Sequence, residues 1–258
     1  MKKKKVYFYH SYDDEVLTNL KKPPQIDENY KYLPRNIFAK FWSWFYYRII
    51  IFPIGWLYCK FKRIKYVGLN KIRKCKTGYF VYANHTHQFS DVFSPSVLTP
   101  TRKPYLIVNP QNLNVPLLGS STKYLGALPL PEGMGAHKNF LKAIEFRLKQ
   151  KHGIIIYPEA RLWPFYTNIR PYDDGAFRYP VKYNVPTFCV TTTYQQKANG
   201  KCQIIIYVDG PYYIDSGLSA KENQAKLHNT VKNTMTDRAR KSDCCVCDYI
   251  RIEEKAND

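Results

Sequence analysis

Apolar positions along this chain follow two periods, and the changeover near residue 78 is its first organising feature. Upstream, Phe38, Phe41, Trp42, Phe45, Ile49 and Phe52 recur at helical spacing on one face, with Lys40, Ser43 and Tyr47 opposite. Downstream come short apolar runs at 78–83, 105–108, 153–157, 187–193 and 203–208, each bounded by Gly, Pro or polar residues. β-Branched and aromatic residues dominate these runs, which predicts buried strands. Between the second and third, Phe140, Leu141, Ile144 and Leu148 keep a helical stripe within 136–151, and Gly153 follows as a stop. Residues 219–241 read as a polar, exposed helix. The alternation predicts an α/β fold with a mainly parallel central sheet flanked by helices. Three regions follow: a poorly packed arm over 1–35, an aromatic and basic segment over 36–77, and the α/β domain over 78–258.

With 258 residues and 45% hydrophobic content, the chain can bury a sizeable core, which excludes long disorder and a disulfide-stapled mini-domain. Charge changes the picture more. The formal net charge is +20, and between Glu28 and Asp91 there is no acidic residue against 12 Lys or Arg. A basic chain with 16% aromatics points to an anionic partner, either nucleic acid or an anionic membrane surface. The aromatic stripe is followed directly by Lys60, Lys62, Arg63, Lys65, Lys71, Arg73, Lys74 and Lys76. An apolar helix face beside a polybasic run is what an interfacial anchor needs, each nearby cation adding about 1 kcal/mol against anionic lipid. The competing reading is an ordinary amphipathic helix packed on its own domain. A single-strand nucleic-acid binder wants stacking platforms inside the basic groove, so the membrane surface is the expected partner and nucleic acid is not. The longest uncharged run here, 49–59, is broken by Pro53 and Gly55 and falls short of the ~20 residues of a span. The expected placement is therefore peripheral or monotopic, on the cytoplasmic face of the cell membrane.

Seven cysteines without a visible secretory signal read as reduced thiols in the cytosol. Cys244 and Cys247 have C-x-x-C spacing, but no second pair follows, and Cys189, Cys202 or His228 would join them only through the fold. No metal is expected.

The chemistry should lie where strands end, because the crevice at the carboxyl edge of an open α/β sheet is where ligands bind. The first strand runs into Asn84-His85-Thr86-His87-Gln88-Phe89-Ser90-Asp91. An Asp beside a His fixes the ring tautomer and stabilises the imidazolium that forms when the other nitrogen takes a proton. Spacing leaves both His85 and His87 open as the base. Another strand ends in Tyr157-Pro158-Glu159-Ala160-Arg161, a carboxylate with an adjacent guanidinium, and Arg170 could add a second bidentate donor for a phosphate. Gly126 to Pro131 forms a Gly-and-Pro turn that could bring backbone close to a ligand, and Val185-Pro186 opens the next strand.

Taken in order, these four elements resemble the blocks of the glycerolipid acyltransferases, which include the 1-acyl-glycerol-3-phosphate acyltransferases. That family has an Asn-His…Asp block, a Gly-rich block, a Phe-Pro-Glu-Gly block and a Val-Pro block, and the counterparts here span roughly 78–194. The chain departs from the pattern in three places. Five residues rather than four separate His85 from Asp91, Leu130-Pro131-Glu132 replaces the end of the second block with its Arg, and Arg161 comes one residue early after Glu159.

The resemblance implies a glycerol-3-phosphate acyltransferase-like fold whose aromatic segment docks on a membrane. It implies an O-acyltransferase of phospholipid biosynthesis, with His85 as general base and Asp91 holding it. Asn84, Glu159, Arg161, Gly126, Arg170 and Lys138 are the candidate substrate-binding residues. The acyl donor would be an acyl-coenzyme A or acyl-carrier-protein thioester, the acceptor a lysophospholipid or glycerol phosphate, with no bound cofactor. A catalytically silent acyltransferase fold that binds lipid, and a basic nucleic-acid-binding protein, are the alternatives.

Overall fold

The apolar runs pair because a buried strand must satisfy its backbone against a neighbour. The computed structural model describes residues 4–16, 23–34, 36–114 and 122–252. Its strands are β1 (Lys5–Tyr9), β2 (Lys65–Val67), β3 (Tyr79–Ala83), β4 (Tyr105–Val108), β5 (Ala127–Pro129), β6 (Gly153–Ile156), β7 (Thr187–Gln196), β8 (Cys202–Tyr212) and β9 (Cys247–Arg251). Seven of them form one mixed sheet in the order β2-β8-β7-β3-β6-β4-β5. Every neighbouring pair is parallel except β7 and β8. The expectation of a mainly parallel sheet holds with that exception, and the cause is length. Only residues 197–201 join β7 to β8, enough for a hairpin and far too few for a parallel crossover.

Alternation along β3 sends Phe80 and Tyr82 to one face of the sheet, and Tyr79, Val81 and Ala83 to the other. Beyond the short helices α5 (Thr122–Leu125) and α7 (Arg178–Tyr183), the first face is covered by α6 (Gly133–Lys149) through Phe140, Ala143 and Ile144, and by α8 (Ala220–Ala239) through Leu227, Val231 and Met235. The predicted polar helix at 219–241 thus forms, but its inner stripe is core rather than exposed. The second face packs against α3 (Leu69–Arg73) and α4 (Ser90–Leu98) through Ile72 and Leu98.

The aromatic segment is not one continuous α-helix. It runs as α1 (Ile37–Phe45), a π-helical turn (Tyr46–Ile51) and α2 (Phe52–Phe61), which packs on α4 where Gly55 meets Phe93 and the Tyr58 ring lies tilted against the same ring. Phe38, Phe41, Trp42 and Ile49 face outward, while Tyr47, assigned to the polar side, is buried. No helix among the described residues is long and apolar enough to cross a membrane.

Two further expectations are corrected. The stretch read as a loose arm is partly built into the molecule: β1 pairs in parallel with β9, Ile26 is fully buried, and the Tyr32 hydroxyl donates to the Pro129 carbonyl at 3.0 Å. The seven thiols are not all reduced either. Cys202 and Cys244 are joined, with their Cα atoms 5.8 Å apart, because the β7–β8 hairpin and the segment after α8 meet there.

Candidate active site

Strand β3 stops at Ala83, and the chain turns through Asn84–Phe89 before α4 begins. Asp91, in the first turn of α4, organises that turn. Its Oδ2 accepts the backbone N–H groups of Thr86 and His87, each at 3.0 Å, and lies 2.8 Å from His85 Nδ1. Three donors converge on one carboxylate oxygen, and this is how the extra residue between His85 and Asp91 is accommodated. His87 does different work: its Nδ1 accepts the Ser90 N–H at 3.1 Å, capping α4, and burial pushes its pKa down. Of the two histidines left open by spacing, His85 is the one whose ring meets Asp91. With Nδ1 engaged, Nε2 of the partly exposed His85 has no hydrogen-bond partner among the described residues.

Tyr157 completes the wall. Its ring stacks on His85 with centroids 4.4 Å apart, and its hydroxyl donates to the backbone carbonyl of Asp91 at 2.6 Å. Burial raises this phenol well above its ordinary range, so it remains a donor. Beneath the turn, Tyr194 donates to the Thr86 carbonyl at 3.0 Å. Sequence reasoning missed both tyrosines. The signal for Tyr157 was its place at the position where the family's third block has Phe.

The candidate substrate-binding residues mostly have other work. The Asn84 amide donates to the Thr192 carbonyl at 3.0 Å and accepts the Thr192 N–H at 2.8 Å, tying β3 to β7. Glu159 is buried: Oε2 accepts the His85 N–H at 3.3 Å and Arg170 Nη2 at 3.0 Å, and Oε1 accepts the Arg170 N–H at 3.2 Å. Burial raises the Glu159 pKa, and the Arg170 guanidinium works against that rise. Arg170, itself 1% exposed, also donates to the carbonyls of Tyr12 and Arg161 and lies over the Trp163 ring. Arg161 pairs with Glu15 at 2.8 Å. Gly126 makes a tight turn at φ +103°, where a Cβ would lie 2.4 Å from the Pro104 carbonyl oxygen. Lys138 is exposed on α6, the helix covering the sheet face opposite α4.

The structure therefore brings His85, Asp91 and Glu159 together and joins Arg170 to them through Glu159. It leaves Lys138 on the far side of the sheet, and it gives Asn84, Glu159 and Arg170 internal partners in place of a ligand. Among the described residues, no group of three or more His, Cys, Asp or Glu is placed to hold a metal ion. Exposed apolar side chains occur in the same elements: Phe89 and Val92 on either side of Asp91 in the chain, and Leu57 and Phe61 on α2, whose Tyr58 ring lies 6.1 Å from that of Phe89.

A profile of the family described as Acyltransferase matches residues 63–193, just over half of the chain. The chain belongs to the acyltransferase family. Among solved structures, it is similar to the 1-acyl-sn-glycerophosphate (LPA) acyltransferase PlsC from Thermotoga maritima. That likeness has 16% sequence identity and a TM-score of 0.54, covering 78% of this chain and 87% of that one. No curated protein sequence matches. At this identity the likeness bears on fold alone, and it places the acyltransferase blocks on the same kind of α/β scaffold. An acyl donor as co-substrate follows from the family.

Proposed function

We propose that this acyltransferase works at a membrane surface, moving an acyl group from a thioester to the free hydroxyl of a lysophospholipid such as 1-acyl-glycerol-3-phosphate. The observation that carries the reading is the His85–Asp91 contact at 2.8 Å, which leaves His85 Nε2 without a hydrogen-bond partner among the described residues. Nε2 takes the proton of the acceptor hydroxyl as that oxygen attacks the thioester carbonyl. The new C–O bond forms, the C–S bond breaks, and the imidazolium returns its proton to the departing thiolate. Asp91, held by two backbone donors, fixes the His85 tautomer and stabilises the imidazolium, an arrangement of a kind that contributes ~10²–10⁴-fold. No serine or cysteine nucleophile is required.

The exposed aromatics of α1 and α2, followed by Lys60, Lys62 and Arg63, would lie in the headgroup region of an anionic bilayer, on its cytoplasmic face. With Arg161 and Arg170 committed to internal partners, another cation must meet the acceptor phosphate. Lys62 is exposed at the end of α2, and its charge helps hold the neighbouring His87 neutral. We assign it that role. The same commitment of both arginines favours one second reading, a catalytically silent fold that binds lipid. Incubating the purified protein with vesicles, labelled acyl-coenzyme A or acyl-carrier protein, and a panel of lysophospholipids separates them. An acylated phospholipid supports the enzyme, whereas vesicle binding with no product from any donor supports the silent fold.

A further inference from the structure

The covalent cross-link among the described residues fastens a segment that reaches the His85 turn twice. Cys202 opens β8, and Cys244 follows α8, 42 residues later. The chain beside Cys244 is hydrogen-bonded to the end of β7. Ser242 Oγ accepts the Tyr194 N–H at 3.2 Å, and Asp243 Oδ1 accepts the Gln196 N–H at 2.6 Å. The Tyr194 carbonyl accepts the N–H groups of Asp243 at 3.0 Å and Cys244 at 3.1 Å. The hydroxyl of the same buried tyrosine donates to the Thr86 carbonyl at 3.0 Å. Tyr194 thus holds the bridged segment by its backbone and the catalytic turn by its side chain.

The second approach runs through β9. Tyr249 stacks on Trp163 with centroids 5.1 Å apart and donates to the Pro164 carbonyl at 2.8 Å. On the other side of this loop, the Trp163 N–H donates to the His85 carbonyl at 3.2 Å, and the Phe165 N–H to the Thr86 carbonyl at 2.7 Å. Cys202 is exposed, so a thiolate from outside can reach the bridge. The neighbouring thiols are differently placed: Cys247 is buried, and the Cys245 thiol donates to the Cys247 carbonyl at 3.1 Å.

We propose that the Cys202–Cys244 bridge is a redox clamp on the acyl-transfer site. Closed, it holds the C-terminal segment against Tyr194 and Trp163 and keeps the His85 turn rigid; opened, it loosens that turn. The step is thiol–disulfide exchange with a dithiol, small or protein-borne. One thiolate of the dithiol attacks Cys202 Sγ, the S–S bond breaks, and Cys244 leaves as a thiolate that takes up a proton. The second thiol then displaces Cys202, so the protein gains two electrons and two protons while the dithiol becomes a disulfide. On the cytoplasmic face proposed above, such dithiols keep thiols reduced, and the disulfides that do form are mostly transient or redox-sensing. The effect on turnover rests on His85 being the base, whereas the effect on the turn does not.

The test uses the full-length protein purified without reductant, before and after dithiothreitol. Alkylation under denaturing conditions should label five cysteines before reduction and all seven after it, and peptide mapping should place the bridge at Cys202 and Cys244. Amide hydrogen exchange then follows the peptides carrying Thr86, His87, Trp163 and Phe165, whose N–H groups are all hydrogen-bonded. Reduction should speed their exchange by about tenfold or more and leave α6 unchanged. It should also lower kcat for acyl transfer, and reoxidation should restore both. Cys202→Ser should match the reduced protein with or without dithiothreitol, and Cys245→Ser should respond as the parent does. Seven labelled cysteines before reduction, a bridge between other cysteines, or equal exchange in the closed and opened forms overturns the clamp. Faster exchange on reduction in a protein that transfers no acyl group supports the clamp and refutes the catalytic reading alone.

Discussion

The hydroxyl of Tyr157 donates to the main-chain carbonyl of Asp91 across 2.6 Å, so the residue stacked on His85 also fixes the helix turn that carries its carboxylate partner. One side chain just beyond the end of β6 thereby sets the positions of two groups from the β3–α4 turn. Replacing Tyr157 by Phe keeps the ring and removes the donor. A buried carbonyl losing its partner costs about 1–3 kcal/mol, so denaturant unfolding should show a loss in that range. Acyl transfer should fall in kcat with little change in KM, since the substrate-facing nitrogen of His85 is untouched.

His85→Ala should abolish transfer while circular dichroism and vesicle binding stay as in the parent. Asp91→Asn should reduce kcat by about 10²–10⁴-fold, through loss of the carboxylate that orients and charges the imidazole. Undiminished turnover by a purified His85→Ala protein would refute the assignment.

Lys62→Ala should raise KM for a phosphate-bearing acceptor about tenfold, the scale of one charge-assisted hydrogen bond, and leave KM for the thioester unaltered. Steady-state kinetics with each substrate varied in turn would check this. A change confined to the thioester would move the phosphate site elsewhere.

Arg170→Ala should unfold the protein far more readily than any change at Arg161, because it leaves Glu159 buried without its counter-charge. Breaking a buried pair of this kind costs about 3–5 kcal/mol. The half-exposed Arg161–Glu15 pair should cost under about 1 kcal/mol. Chemical denaturation of both variants gives the comparison.

Burial and the neighbouring Arg147 make His152 titrate lower in the folded chain than in the unfolded one, so the unfolded state binds more protons between about pH 6.5 and pH 4. Stability should fall as pH is lowered through that window. His152→Gln should flatten the fall, measured as the difference in unfolding free energy between pH 7 and pH 4.5. Identical slopes for the two proteins would contradict it.

What could be read from the chain in advance followed from local pattern. Buried strands such as β3 and β6 show as unbroken apolar runs, whereas β2 and β5 have only three residues each and leave no periodic trace. The antiparallel β8 was readable as a strand, but its direction depended on the length of the 197–201 connection. The aromatic stripe was visible, yet the π-helical turn shifts its phase and rotates Tyr47 inward. At the site, His85 and Asp91 were legible because both sit just beyond one strand. Glu159 and Arg170 carry no mark of depth in the sequence, and so a pair 1–2% exposed looked like surface groups awaiting a ligand. Tyr12 and Asp14, whose carbonyls receive Arg170 and Trp163, come from far away in the chain, and no local pattern announces such contacts.

Strands β1 and β9 lie at opposite ends of the described chain and yet run side by side. During synthesis, the segment 5–9 must therefore wait until residues 247–251 have left the ribosome before it finds its mate. Tyr249 of β9 stacks on Trp163, in the loop that also carries Glu159 and Arg170. A nascent chain would thus have every strand of its central sheet available before the surroundings of His85 are finished, which delays any catalytic competence until β9 has emerged.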